Sequence, residues 1–194
     1  GQGKTLAFVL PIVKRMLVAD EDGAPPARGR APRVLCLLPT RELAKQVSTE
    51  FEVMMPRYAH ICIYGGAMYG PQELALSKGV DVVVGTPGRV IDHLDRGNLA
   101  LKSLQYLVLD EADEMLDIGF QEDIDKVLEA ATAQHPEPAT IQKLLWSATL
   151  PRLRNQATSG SDIWLGPSAA REIPEWEPTN FMFAPEFIAI STWS

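Results

Sequence analysis

The chain has 194 residues, is 46% hydrophobic and carries a net charge of −7. That length can bury one sizeable core but not two α/β domains of ordinary size, and the acidic balance argues against a protein that coats nucleic acid by bulk electrostatics. It does not exclude RNA, because backbone amides and a few arginines can hold a phosphate backbone on an acidic protein.

No run of about 18 consecutive apolar residues occurs, and the N-terminus lacks the charged, apolar and small-residue order of a signal peptide. A soluble, intracellular protein with no membrane partner is expected, in nucleus, nucleolus or cytoplasm, with an organelle not excluded. Cys36 and Cys62 sit inside apolar runs, without CxxC spacing or a histidine cluster, and read as buried core thiols.

The chain opens on Gly1-Gln2-Gly3-Lys4-Thr5, followed by the helical apolar stretch LAFVLPIV. In a phosphate-binding loop, glycines let backbone N–H groups approach phosphate, lysine reaches the β and γ phosphates, and the threonine hydroxyl ligates Mg²⁺. The helix behind it adds its positive end. A glycine-rich turn before a basic helix is the competing reading of these five residues. Ala19–Pro32 mixes acidic residues, Pro, Gly and Arg without periodicity and reads as a flexible surface loop.

Val34–Leu38, Ile61–Tyr64, Val82–Val84, Tyr106–Leu109 and Leu144–Trp146 are short apolar runs bounded by Pro, Gly or polar residues, the pattern of fully buried parallel strands. Between them, Leu43, Val47, Phe51 and Met54, and later Ile124, Val127, Leu128 and Ala131, recur at helical steps. Strand and helix alternating in this way predict right-handed βαβ units and an α/β fold, a mostly parallel doubly wound sheet with helices on both faces. Ligands in such sheets bind beyond the carboxyl ends of the strands. Gln134–Pro138 is a short excursion.

Leu107-Val108-Leu109 runs directly into Asp110-Glu111-Ala112-Asp113. An aspartate there can hold Mg²⁺ on nucleotide phosphates, and an adjacent glutamate can orient and deprotonate water. An acidic first turn of the next helix, favoured by the helix dipole, is the alternative. Met115, Leu116 and Phe120 read as packing residues.

Taken together, GxGKT (1–5), PTRELA (39–44), GG (65–66), TPGR (86–89), DEAD (110–113) and SAT (147–149) stand in the order and at spacings that resemble the DEAD-box ATP-dependent RNA helicases. The resemblance covers residues 1–152, and the flanking text IYGGAMYG and GTPGRVIDHLDRGNL is similar to the nucleolar Gu-type subgroup. It implies a RecA-like P-loop NTPase domain. It further implies that Gly1, Gly3, Lys4 and Thr5 bind ATP, that Thr5 and Asp110 hold Mg²⁺, and that Glu111 is the catalytic base beside Asp110 and Lys4. Asp113 would contact Ser147-Ala148-Thr149 and couple nucleotide state to strand separation. Pro39, Thr40, Arg41, Gly65, Gly66, Thr86, Gly88 and Arg89 would line a groove for single-stranded or short duplex RNA.

Such a groove makes physical sense: glycines and helix N-termini offer N–H donors, and arginines offer charge-assisted contacts, none of which reads base identity. Taken singly, Arg41 and Arg89 also read as surface arginines in a first helical turn, and Gly65-Gly66 as an ordinary turn after a strand.

Against the family pattern, the adenine-reading Q motif and first strand would precede Gly1. A second RecA-like domain, which supplies arginine fingers and half of the RNA groove, would lie beyond this chain. Negligible ATPase activity is therefore expected of this segment alone. Residues 153–194 depart from the family. From 155 onward they hold four prolines, three tryptophans and five acidic residues against one basic. They are expected to be a poorly ordered tail of unrelated, mis-spliced or frame-shifted origin, with an interaction tail bearing aromatic anchors as the alternative. Two other functions compete with the helicase: a non-catalytic RNA- or protein-binding module, and a DNA translocase of the same superfamily.

Overall fold

The computed structural model describes residues 2–20, 29–147 and 188–191, with side chains described from Thr5 onward and not at 188–191. The five apolar runs form β1 (Val34–Leu37), β2 (His60–Ile63), β3 (Val82–Gly85), β4 (Tyr106–Leu109) and β5 (Gln142–Ser147). A sixth strand, β6 (Ile188–Ser191), joins them, and every pairing is parallel in the order β2-β3-β1-β4-β5-β6. β1 and β3 are buried at all positions, as strands covered on both faces must be.

Because side chains alternate across a strand, the sheet divides its apolar residues between two cores. Val34, Cys36, Val82, Val84, Val108, Leu144 and Trp146 meet α1 (Gln2–Ala19) and α2 (Arg41–Met54) on one face. Leu35, Leu37, Val83, Leu107, Leu109 and Leu145 meet the other helices on the opposite face: α3 (Tyr69–Lys78), α4 (Pro87–Asp95), α5 (Ala112–Ile118) and α6 (Gln121–Gln134). This is the doubly wound architecture expected from the alternation of runs.

Helix α2 shows how local sequence sets an element. Thr40 accepts the Leu43 amide at 3.3 Å as N-cap, satisfying one of the orphan donors of the first turn. Ala44, Val47, Ser48 and Phe51 then recur at helical spacing and are buried.

Three findings differ from expectation. Cys36 is buried, but Cys62 is only partly so, because it lies on the edge strand β2. The segment before β1 is anchored where it is described: Ala31 and Pro32 are buried, and Arg30 and Arg33 pair with the fully buried Asp81. Residues 21–28 of the expected loop lie outside the described residues. In the tail, Ile188–Ser191 forms a strand, as alternating β-branched residues can; the remainder of 153–187 and 192–194 lies outside the described residues.

Candidate functional site

The direction of α1 decides where its first turn lies. Arg15, in the fourth turn, donates to Gln142 at the start of β5 at 2.8 Å, whereas the Phe8 ring meets Trp146 near its end at 5.7 Å. The helix therefore runs opposite to β5, and at about 1.5 Å per residue Thr5 sits at the level where β5 ends. Thr5 is buried. Gly1 lies outside the described residues. Gln2, Gly3 and Lys4 are placed as the opening of α1, without side-chain positions. No acidic residue occupies the first turn of this 18-residue helix, whose N-terminal end carries the positive pole of its dipole.

Asp110 emerges at the same rim. Leu109 is in register with Leu37 and with Leu145, so Asp110 lies one step on, level with Leu38 and Trp146, and its amide donates to Leu37 O at 3.0 Å. Its carboxylate is buried and accepts the Glu111 amide at 3.0 Å. Burial, and after it the Asp110 charge, push the Cys36 thiol well above its ordinary range. Glu111 holds φ 53 and ψ 49, the left-handed region that side chains other than glycine seldom adopt. Asp113 lies in the first turn of α5, which packs on β5, the strand that Ser147 ends in a buried position. Thr149 and Ala148 lie outside the described residues.

These groups fit a nucleotide with its divalent cation. A helix N-terminus suits phosphate. A buried carboxylate and a buried hydroxyl are the hard oxygen donors that Mg²⁺ takes from a protein when phosphates supply the rest of its shell. Among the described residues, no cluster of three His, Cys, Asp or Glu that could hold a metal by itself occurs.

The other half of the rim is built from β2, β3 and β1. Leu37 and Ile63 are both in register with Gly85, so Pro39–Arg41, Gly65–Gly66 and Thr86–Arg89 leave three adjacent strands, spaced at about 4.8 Å, side by side. Pro39 is buried. Gly65 and Gly66 are exposed, Gly66 at φ 83, and a Cβ on either would meet nothing within 4 Å. Thr86 precedes α4 as N-cap but makes no side-chain cap bond, and a Cβ on Gly88 would find only Asp123 Oδ2, at 3.8 Å. The two arginines differ. Arg41 is largely exposed and paired with Glu42 at 2.6 Å. Arg89 is tucked in, donating from Nη1 to Ala67 O at 3.3 Å and to Gln72 Oε1 at 3.1 Å.

A family model for the DEAD/DEAH box helicases matches residues 1–157. The chain belongs to that family. Among similar proteins, the chloroplastic DEAD-box ATP-dependent RNA helicase 3A of Zea mays is 53% identical over 151 residues, covering 78% of this chain and 19% of the relative. Nucleolar RNA helicase 2 of Rattus norvegicus is 44% identical over 151 residues, covering 78% and 17%. The chain thus spans about a fifth of the length of the relatives it matches. Among solved structures, the yeast DEAD-box splicing factor Prp28 superposes with a TM-score of 0.71 at 34% identity, over 78% of this chain and 35% of that one. A DEAD box protein from Methanococcus jannaschii gives 0.64 at 40% identity, over 78% and 38%.

Within this DEAD-box domain, the described residues of the motifs lie along one rim, and the side chains that brace them are not among those singled out from sequence. Gln72 and His93 are buried and join α3 to α4 through an Nε2···Oε1 contact of 3.1 Å. The Tyr69 ring stacks on His93 at 4.4 Å and lies under the Arg89 and Arg96 guanidiniums. Burial, and then the Arg89 charge, hold the His93 imidazole below its usual range. The available signal was a glutamine four residues before the buried Leu76 on one helix face, a polar residue where an apolar one is ordinary.

Proposed function

We propose that this domain holds ATP with Mg²⁺ at the α1, β4 and β5 half of the rim and the backbone of single-stranded RNA along the β1, β3 and β2 half. The whole protein, with a second RecA-like domain, would couple hydrolysis to the opening of short RNA duplexes or the remodelling of RNA–protein complexes inside the cell. The observation that carries this reading is the division of a single rim into two contiguous halves, one of buried oxygen donors at a helix N-terminus, one of exposed glycines, a free cap position and arginines.

In the nucleotide half, Gly1, Gly3 and Lys4 would cradle the phosphates, and Thr5 and Asp110 would supply the protein's oxygens to the metal. When bound, Mg²⁺ neutralises charge on the phosphates. Glu111, next to the metal-facing carboxylate, would orient water and accept its proton. Asp113 and the Ser147–Thr149 segment would carry the nucleotide state toward the RNA. In the RNA half, Pro39 would shape the turn. Thr40, Arg41, Gly65, Gly66, Thr86, Gly88 and Arg89 would contact phosphate and sugar, giving affinity without base reading.

The direct test titrates this chain with a fluorescent ATP analogue plus Mg²⁺ and with labelled oligouridine. Both should bind, and RNA affinity should be insensitive to base sequence, fall with salt and weaken for the 2′-deoxy oligomer. RNA binding with no nucleotide binding would instead mark a non-catalytic module. In the full-length protein, Lys4→Ala and Glu111→Gln should abolish RNA-stimulated hydrolysis; normal turnover by either would overturn the assignment.

A further inference from the structure

The RNA half of the rim is assembled from loops on different strands, and loops hold a fixed spacing only if something ties them together. One side chain does so. Gln72, on α3, is 5% exposed. Its Nε2 donates to Tyr64 O at 3.4 Å, the carbonyl immediately before Gly65-Gly66. Its Oε1 accepts Arg89 Nη1 at 3.1 Å and faces His93 Nε2 at 3.1 Å, both on α4 behind Thr86-Pro87-Gly88.

The chemistry fixes every orientation in this cluster. Tyr64 O can only accept and Arg89 can only donate, so the amide cannot be flipped. His93 Nε2 faces an oxygen and therefore carries the proton. Arg89 closes the circuit by donating to Ala67 O at 3.3 Å on the far side of the two glycines, while Tyr69 Oη donates to Asp92 O at 3.2 Å. The Gly65–Gly66 turn is thus gripped before and after by groups that also hold the first two turns of α4.

We infer that Gln72 is a positioning residue for RNA: it locks the Gly65–Gly66 turn and the Thr86–Arg89 turn into one rigid phosphate-facing surface. This rests on the RNA groove proposed above. Gln72 bears no charge and does not itself reach the rim, so its effect passes through Arg89 and the Tyr64 carbonyl. The nucleotide half, on the other side of β1, is outside its reach.

The test compares this chain with its Gln72→Leu variant in titrations with labelled oligouridine and, separately, with the fluorescent ATP analogue and Mg²⁺. RNA affinity should fall by about tenfold, the loss typical of a buried polar network left without its partner, while nucleotide affinity stays within about twofold. In an Arg89→Ala background the same substitution should cost little, since residues acting as one unit are non-additive. Gln72→Met serves for the same readouts where the leucine variant fails to fold. Unchanged RNA affinity in the variant overturns the inference and leaves the RNA groove standing. Parallel loss of both ligands together with thermal stability would mark Gln72 as a general core residue and overturn it too. An unmodified chain that binds nucleotide but no RNA overturns the groove itself, and the inference with it.

Discussion

The Glu111 amide donates to the carboxylate of its own neighbour, Asp110, at 3.0 Å, and does so from left-handed backbone with φ 53. Among non-glycine residues described, Glu111 alone has positive φ, a conformation that costs a side-chain-bearing residue about 1–2 kcal/mol. Strain of this kind collects where function needs a special geometry. Glu111→Gly should therefore leave the thermal midpoint no lower than that of the parent. Glu111→Val, with a β-branched side chain, should lower it by about 4 °C or more. Differential scanning calorimetry reads both, and equal midpoints would contradict the strain.

Gly65→Ala separates folding from ligand binding. A Cβ at Gly65 meets nothing within 4 Å, whereas at Gly85 it would lie 2.5 Å from Ile63 O. The Gly65 variant should melt within about 2 °C of the parent yet bind oligouridine about tenfold more weakly, because only a close-approaching backbone would collide with the methyl. Gly85→Ala should lose about 1–3 kcal/mol of stability, the range for overpacking. Full RNA affinity in Gly65→Ala would remove that glycine from the groove.

Asp20 sits at the opposite rim, bonded to Arg33 at 2.7 Å and to the Tyr58 hydroxyl at 2.8 Å. The Arg33 hydrogen bond, partly offset by burial and assisted by Tyr58, holds its carboxyl below the ordinary 3.8. A carboxyl depressed in the folded state contributes stability that is present above pH 3.8 and lost as pH falls through the folded value. Asp20→Asn should therefore be less stable than the parent at neutral pH by no more than about 1 kcal/mol. The gap should close in more acid solution. Urea titrations across pH check this; a gap that persists in acid would assign the loss to packing.

Cys62 predicts slow thiol chemistry. Burial raises its pKa to about 11, so at pH 8 only about one thiol in a thousand is ionised. Alkylation by iodoacetamide should run about two orders of magnitude slower in the folded chain than in urea, with the fully buried Cys36 slower still. A fast phase in the folded chain would show that β2 opens.

The strands were legible in sequence because each carries a short apolar run, and at the centre of the sheet, where β1 and β3 are buried throughout, a run such as Val82-Val83-Val84 admits few other fates. The position of the motif residues at the strand ends was legible because each group follows directly on an apolar run: Asp110 on β4 and Thr86 on β3. What escaped was non-local. Nothing near Gln72 in the chain announces His93 or Arg89 as partners, and nothing near Asp81 announces Arg30, 51 residues away, as its partner. Nor does any residue-type preference announce a left-handed Glu111. A buried polar side chain is specified by its distant partners, and periodicity sees only the near ones.

The place of Ile188–Ser191 carries one last consequence. Helices α1 and α2 pack on the same face, and the β1–α2–β2 connection travels from β1 toward the β2 border of the sheet. Crossovers keep one hand, so a strand feeding α1 must start on the far side of β1. With β4 and β5 already seated there, the remaining berth among the described strands lies along the outer flank of β5, where Ile188 is in register with Leu144 and Ser191 with Ser147. Any strand that led into α1 from that side would compete with Ile188–Ser191 for the same row of β5 backbone partners, and one could dock only by displacing the other.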